Sequence, residues 1–147
     1  MHDAAVSVAL AVAVLNAVAG LFGGWRWWIV SPSRAFWILA RVGQAAAVVL
    51  AALAGVLALR GFEPADGLFW LYALLPIAVA FVAEQFRAMS AQTVLDARGL
   101  EDAAAVGRLD EAGQRSVVVA IIRREMGIVA LGAIVVAFLA LRAYGTA

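Results

Sequence analysis

The sequence contains no cysteine, no lysine and a single histidine, His2. Without cysteine, disulfides, iron–sulfur clusters and thiolate zinc sites have no ligands. With one histidine, haem bound through paired histidines and zinc sites built from Cys and His ligands are excluded as well. We therefore expect no cofactor and no metal site.

Charge is also scarce in this chain. Only 14% of the residues are charged and 66% are hydrophobic, whereas an average soluble domain has about 25% charged residues. Eleven arginines are scattered among ten acidic residues, for a net charge of +1. No basic stripe typical of nucleic-acid binding is present. We expect the lipid bilayer to be the main environment and no nucleic acid to be a partner.

Four apolar stretches approach the roughly 20 residues that a membrane-spanning helix needs. They cover about 4–24, 35–59, 68–86 and 121–141. Turn residues such as Pro32 and Pro64 lie between them. The sequence therefore predicts one all-α domain over residues 1–147, an integral membrane four-helix transmembrane bundle.

The only extended polar segment, residues 87–120, lies between the third and fourth spans. Gly99 provides a helix stop and Asp110 a helix N-cap. We expect the third and fourth helices to extend beyond the membrane as a helical hairpin, with a short helix near 101–106 at its tip. In that hairpin the extension of the third helix should pack against four residues of the fourth: Val117, Val118, Ile121 and Ile122.

The arginines of the loops predict the orientation, because cytoplasmic loops carry an excess of positive charge. Only Arg60 and Arg142 fall on one side of the predicted spans. The other side carries a larger set in its loops: Arg26, Arg34, Arg87, Arg98, Arg108 and Arg115. We therefore expect a multi-pass protein of the cell membrane with both termini outside and the long loop in the cytoplasm.

Aromatic residues crowd both ends of the spans, which is typical of interfacial belts at headgroup depth. On the predicted cytoplasmic side these are Trp25, Trp27, Trp28, Phe36 and Trp37.

Polar residues interrupt the spans near their cytoplasmic ends in three groups: Arg41 with Gln44, Glu84 with Arg87, and Arg123, Arg124 and Glu125. Residues three apart on a helix lie about 60° apart and share a face. Ionisable groups at membrane depth are costly and are usually paired or functional. We predict that the three groups form one layer, with Glu84 paired to Arg123 or Arg124 and Glu125 paired to Arg87.

Two functional interpretations of this layer are open. In the first, the layer holds the helices together, and the chain is a non-enzymatic structural or accessory membrane protein that works as a homo-oligomer or as a subunit of a membrane complex. Four arginines against two glutamates leave an excess of two positive charges in the layer, which favours a site for an anion or an anionic lipid headgroup, or a small transporter or channel. Arg41 is the central residue of that second interpretation. No catalytic constellation is present, so we expect no enzyme.

Two stretches carry a family resemblance: FWILARVGQ at residues 36–44 and AEQFRAMSAQTVLDARGLEDAAAVGRLDEAGQRSVVVAIIRREMG at residues 83–127. Together they resemble uncharacterised small four-span integral membrane proteins of the high-GC actinobacterial type. The resemblance implies the four-span topology, and it implies no activity and no site residue.

Overall fold

The structure, a computed structural model, describes the whole chain from Met1 to Ala147. It is 84% helical and has no strands, which confirms the all-α prediction. Six helices follow one another: α1 His2–Trp28, α2 Arg34–Leu59, α3 Leu68–Ala88, α4 Ser90–Ala97, α5 Ala103–Gly107 and α6 Glu111–Thr146. Of these, α1, α2, α3 and α6 are each long and apolar enough to span a membrane. The chain is thus consistent with a multi-pass membrane protein.

The bounds of the long helices differ most from the predicted spans at α1 and α6. α1 continues to Trp28 and therefore includes three tryptophans that the sequence placed in a loop. α6 has 36 residues and is about 54 Å long at 1.5 Å per residue. One continuous helix thus carries both the fourth apolar stretch and part of the polar segment before it, because no proline or glycine pair interrupts residues 111–146.

The four long helices pack as a closed ring in which α1 and α3 each contact both α2 and α6. Alanine supplies many of the buried residues, and the largest fully buried side chains include Phe36, Leu50 and Phe69. Small side chains allow helix backbones to approach closely, which is the usual way that helices associate in an apolar solvent.

Close packing is tightest where glycines of α1 and α2 meet their neighbours. A Cβ atom at Gly23 of α1 would overlap the ring of Phe36 and lie 3.0 Å from the Cβ of Ala130. A Cβ atom at Gly43 of α2 would lie 2.7 Å from Oδ1 of Asn16. These positions accept only glycine without movement of a neighbour, since real Cβ contacts are longer than this.

Helices α4 and α5 form the hairpin tip, and α4 packs against the N-terminal part of α6. Gly99 ends α4 in the left-handed conformation, with φ of +66°. Asp110 Oδ1 accepts a hydrogen bond of 2.8 Å from Gly113 N and so caps α6, as the sequence predicts. Val117 is buried, but Val118 is 49% exposed. The predicted packing of Val118 is wrong, because a step of one residue turns the side chain by about 100°.

The glycine packing predicts that Gly23→Ala will lower the free energy of unfolding by about 1–3 kcal/mol, since the added methyl group overlaps the buried Phe36 ring. Thermal unfolding in detergent measures the effect. Gly55→Ala is the matched control, because its Cβ would contact nothing within 4 Å. We expect the control to be neutral or stabilised by about 0.5–1 kcal/mol, since alanine favours a helix over glycine. Equal effects of the two substitutions would contradict the packing argument.

Candidate functional site

Glu84 of α3 is the centre of a hydrogen-bonded polar cluster. Its Oε1 accepts hydrogen bonds of 2.9 Å from Arg41 Nη1 and of 2.9 Å from Gln44 Nε2, both on α2. Its Oε2 accepts a hydrogen bond of 2.8 Å from Nε of Arg87, which lies one turn further along α3. Arg41 Nη1 also donates to Gln44 Oε1 at 2.6 Å. Both carboxylate oxygens are therefore occupied by donors from two helices.

Glu125 of α6 joins this cluster at its edge. Its Oε2 lies 4.0 Å from Arg87 Nη1, so the predicted pairing of Glu125 with Arg87 is confirmed at the limit of an ion pair. The cluster then holds two arginines and two glutamates and is formally neutral. We call Arg41, Gln44, Glu84, Arg87 and Glu125 the α2–α3–α6 cluster.

Asn16 of α1 lies near the cluster but does not belong to it. It is 3% exposed, and its Nδ2 donates to Val12 O at 2.9 Å and to Gly43 O at 3.1 Å. The second of these bonds joins α1 to α2. Asn16 and Gln44 also border a cavity of about 10 Å³ in the middle of the ring. That volume is at the lower limit for one water molecule.

The remaining two predicted site residues, Arg123 and Arg124, lie elsewhere. Neither forms an ion pair with Glu84, so that predicted pairing is wrong. Instead the guanidinium carbon of Arg123 lies 5.1 Å from the centre of the Trp27 ring, in a cation–π contact. The reason is geometric: Arg41 and Arg87 already fill the carboxylate, and Arg123 is on the side of α6 that faces α1.

Arg123 and Arg124 belong to an open groove of about 1070 Å³ between the end of α1 and the N-terminal half of α6. We call it the basic groove. Four arginines and one glutamate supply its charged groups: Arg98, Arg115, Arg123, Arg124 and Glu111. Its apolar wall includes Trp27 and Val30.

Ion pairing leaves most of this positive charge uncompensated. Arg115 Nη2 lies 3.6 Å from Glu111 Oε1, but both side chains are highly exposed, and such pairs are weak. Arg98 donates from Nη1 to Ser116 Oγ at 3.0 Å and from Nη2 to Ser116 O at 3.3 Å. These bonds fix Arg98 in place and leave its charge unpaired. The formal charge of the groove is therefore +3, from four arginines and one glutamate.

The backbone at the rim of the basic groove is strained. Val30 has φ of +51°, a left-handed conformation that is rare for a β-branched residue. Arg26 holds this turn: its Nε donates to Ser31 O at 2.8 Å and its Nη2 to Ser31 Oγ at 2.8 Å. Strained residues persist only where their surroundings fix them. Arg26 is thus a structural residue of the groove.

Sequence reasoning missed Arg98, Arg115 and Trp27 as members of one site. Arg115 and Arg123 are eight residues apart on α6 and therefore lie about 80° apart on the helix, a spacing that the sequence does contain. Arg98 and Trp27 come from α4 and α1, and only the fold brings them to α6. The chain brings together no group of three His, Cys, Asp or Glu side chains that could hold a metal ion.

The saturated carboxylate predicts that Glu84→Gln will lower the free energy of unfolding by about 1–3 kcal/mol, because the amide is uncharged and has one acceptor oxygen where the carboxylate offers two to Arg41, Gln44 and Arg87. Thermal unfolding in detergent measures it. Glu63→Gln is the matched control, since Glu63 is exposed and unpaired. An unchanged midpoint for Glu84→Gln would show that the α2–α3–α6 cluster does not stabilise the helix packing.

Comparison of the chain with protein-family models, curated proteins and solved structures gives no match in any of the three. We therefore infer the function from the α2–α3–α6 cluster and the basic groove.

Proposed function

We propose that this chain is a non-enzymatic integral membrane protein that binds phosphate-bearing anionic headgroups in the basic groove. The observation that carries the proposal is the surplus of arginine there: four arginines face one glutamate beside an exposed apolar helix surface. Arginine recognises phosphate well, because its planar guanidinium group can donate two parallel hydrogen bonds.

The spacing of charges along α6 supports a headgroup rather than a deeper ligand. Arg142 follows Arg124 by 18 positions, with Glu125 as the only charge between them, and this spacing corresponds to about 27 Å of helix. This is close to the roughly 30 Å thickness of the hydrocarbon core. A membrane boundary at Arg124 then brings the basic groove to the level of the phosphates, and Trp27 to the depth that tryptophan prefers.

The same arginines support an orientation in the cell membrane with both termini outside and the hairpin of α4 and α5 in the cytoplasm. The side that carries the basic groove also carries Arg34 and Arg108, and the opposite side carries only Arg60 and Arg142. The inner leaflet holds much of the anionic lipid in a cell membrane. Orientation and ligand thus support one another.

The α2–α3–α6 cluster supports the structural interpretation better than it supports transport. Glu84 has no free oxygen to offer a ligand, since Arg41, Gln44 and Arg87 all donate to it. The cavity that Gln44 of the cluster borders is only about 10 Å³, too small for any solute larger than water. We infer that this cluster locks α2 to α3 and that the binding function lies in the basic groove.

A second candidate function is that of a subunit in a homo-oligomer or a larger membrane complex. One observation favours it. Arg41 lies about 10 Å along α2 from Arg34, the first residue of that helix, and its side chain is nevertheless 53% exposed. A charge exposed at that depth is costly in lipid. A neighbouring chain that placed a hydrogen-bond acceptor against the exposed side of Arg41 would lower this cost.

The orientation predicts which loops an impermeant reagent can reach. The chain has no cysteine, so single substitutions Ala65→Cys and Ala104→Cys introduce the only thiols. In intact cells we expect a membrane-impermeant maleimide to label Ala65→Cys and to leave Ala104→Cys unlabelled until the cells are lysed. The reverse pattern would contradict the proposed topology.

The proposed function predicts that the double variant Arg123→Gln, Arg124→Gln will bind phosphatidylglycerol roughly 10- to 30-fold more weakly, at about 1 kcal/mol for each arginine removed near an anionic surface. Spin-labelled phosphatidylglycerol in phosphatidylcholine nanodiscs measures binding as the motionally restricted fraction.

The matched control for this experiment is Arg34→Gln, Arg108→Gln. It removes the same charge from the same side of the protein without touching the basic groove. We expect near wild-type binding for the control, and weaker binding for the wild type at high salt. An equal loss in both double variants would mean that general surface charge, and not the groove, attracts the lipid.

A further inference from the structure

A second, apolar groove begins where the basic groove ends. It lies between α1 and α6, has a volume of about 540 Å³ and shares Trp27 and Arg124 with the basic groove. Its walls include Gly20 and Gly24 from α1 and Leu131 and Ile134 from α6. We call it the α1–α6 groove. The two grooves together form one surface that changes from basic to apolar at Arg124.

The glycines beside the α1–α6 groove have two different roles, close contact between the helices and open space. At Gly20 a Cβ atom would lie 2.6 Å from Cδ1 of Ile134, and at Gly127 it would lie 2.9 Å from Nε1 of Trp27. The two helices are therefore in close contact at Gly20 and again at Gly127. At Gly24, between these contacts, a Cβ atom would meet nothing within 4 Å. The open space is thus at Gly24, directly beside the arginines.

The length of the α1–α6 groove matches one leaflet of a bilayer. Ile134 follows Arg124 by ten positions on α6, about 15 Å of helix axis. This is half of the roughly 30 Å hydrocarbon core. An extended hydrocarbon chain that starts at headgroup level would follow the groove to about the middle of the membrane.

We propose that the α1–α6 groove seats one acyl chain of the same lipid whose phosphate binds in the basic groove. The ligand is then an anionic phospholipid of the leaflet that faces the hairpin, and a free anion lacks half of the contacts. This inference rests on the proposed function, and it adds the class of ligand and the position of its chain.

Charge decides between an acyl chain and a helix of another protein in this groove. Arg124 lines both this groove and the basic groove, and it has no ion-pair partner. An apolar helix from a second copy would bury that charge without compensation, at a high cost. A phospholipid brings its own phosphate to Arg124 while its chain covers the apolar wall. A helix with side chains is also about 10 Å wide, whereas the open part of the groove is made by one missing side chain, at Gly24.

The test uses two probes, spin-labelled phosphatidylglycerol in phosphatidylcholine nanodiscs and inorganic pyrophosphate, whose binding to the detergent-solubilised protein is followed by calorimetry. Gly24→Leu fills the α1–α6 groove without contacting the protein at its Cβ. We expect it to weaken phosphatidylglycerol binding roughly tenfold, which corresponds to lost burial of about two methylene groups. Pyrophosphate binding should change less than about twofold, since that probe has no chain.

Gly55→Leu is the matched control, because it is also a glycine inside a helix whose Cβ would contact nothing within 4 Å. It should leave both probes bound as in the wild type. Leu131→Trp fills the same groove from α6, where Leu131 is 66% exposed. It provides a second variant if Gly24→Leu does not fold, and it should reproduce the selective loss of lipid.

The outcomes separate the two proposals. Selective loss of phosphatidylglycerol in Gly24→Leu supports the seated chain. Unchanged binding of both probes in folded Gly24→Leu and Leu131→Trp would overturn the seated chain and leave the headgroup site intact. Failure of the wild type to bind phosphatidylglycerol would overturn the proposed function itself.

Discussion

The close approach of α1 to α6 is the constraint on which both candidate binding surfaces depend. Gly23 admits the ring of Phe36 and the methyl group of Ala130, and Gly127 admits the edge of Trp27. Because Trp27 is held against α6 in this way, Arg123 can stack on its ring. The basic groove lies on one side of this contact and the α1–α6 groove lies on the other, and Trp27 lines both. Larger side chains at these glycines would push α1 away from α6 and change the shape of both grooves.

The charges of the chain serve two different physical purposes. In the α2–α3–α6 cluster, Glu84 is surrounded by donors and the total charge is balanced, which is the least costly way to keep ionisable groups within apolar helices. In the basic groove the positive charge is not balanced. Arg123 stacks on an aromatic ring, and Arg124 has no ion-pair partner. A saturated cluster stabilises a fold, whereas unpaired arginines at a surface attract an anion. Because of this contrast, we propose a structural role for the α2–α3–α6 cluster and a binding role for the basic groove.

The sequence predicts the fold well where the signal is local. Apolar length predicted α2 and α3 closely, Asp110 was identified as a cap from its own chemistry, and the shared faces of Arg41 with Gln44 and of Glu84 with Arg87 followed from helical spacing. The pairing of Glu84 was predicted incorrectly, because it depends on which face of α6 turns towards α3 and which towards α1.

The site was harder to predict for the same reason. One helix contributes Trp27, another Arg98, and a third Arg115, Arg123 and Arg124. Their meeting depends on helix rotation and on the path of the hairpin, which are set by tertiary packing rather than by any local pattern. The open space at Gly24 could not be predicted from a sequence with 13 glycines. The position of the neighbouring helix decides which glycine lies beside open space.

Native mass spectrometry of the wild-type protein, released from its own membrane in mild detergent, shows whether a lipid stays bound and which one. We expect one phospholipid per chain to survive detergent removal and to be anionic, because its phosphate and one of its chains both contact the protein. Retention of zwitterionic lipid to the same extent, or release of all lipid under conditions that preserve the fold, would mean that the two grooves do not form a phospholipid site.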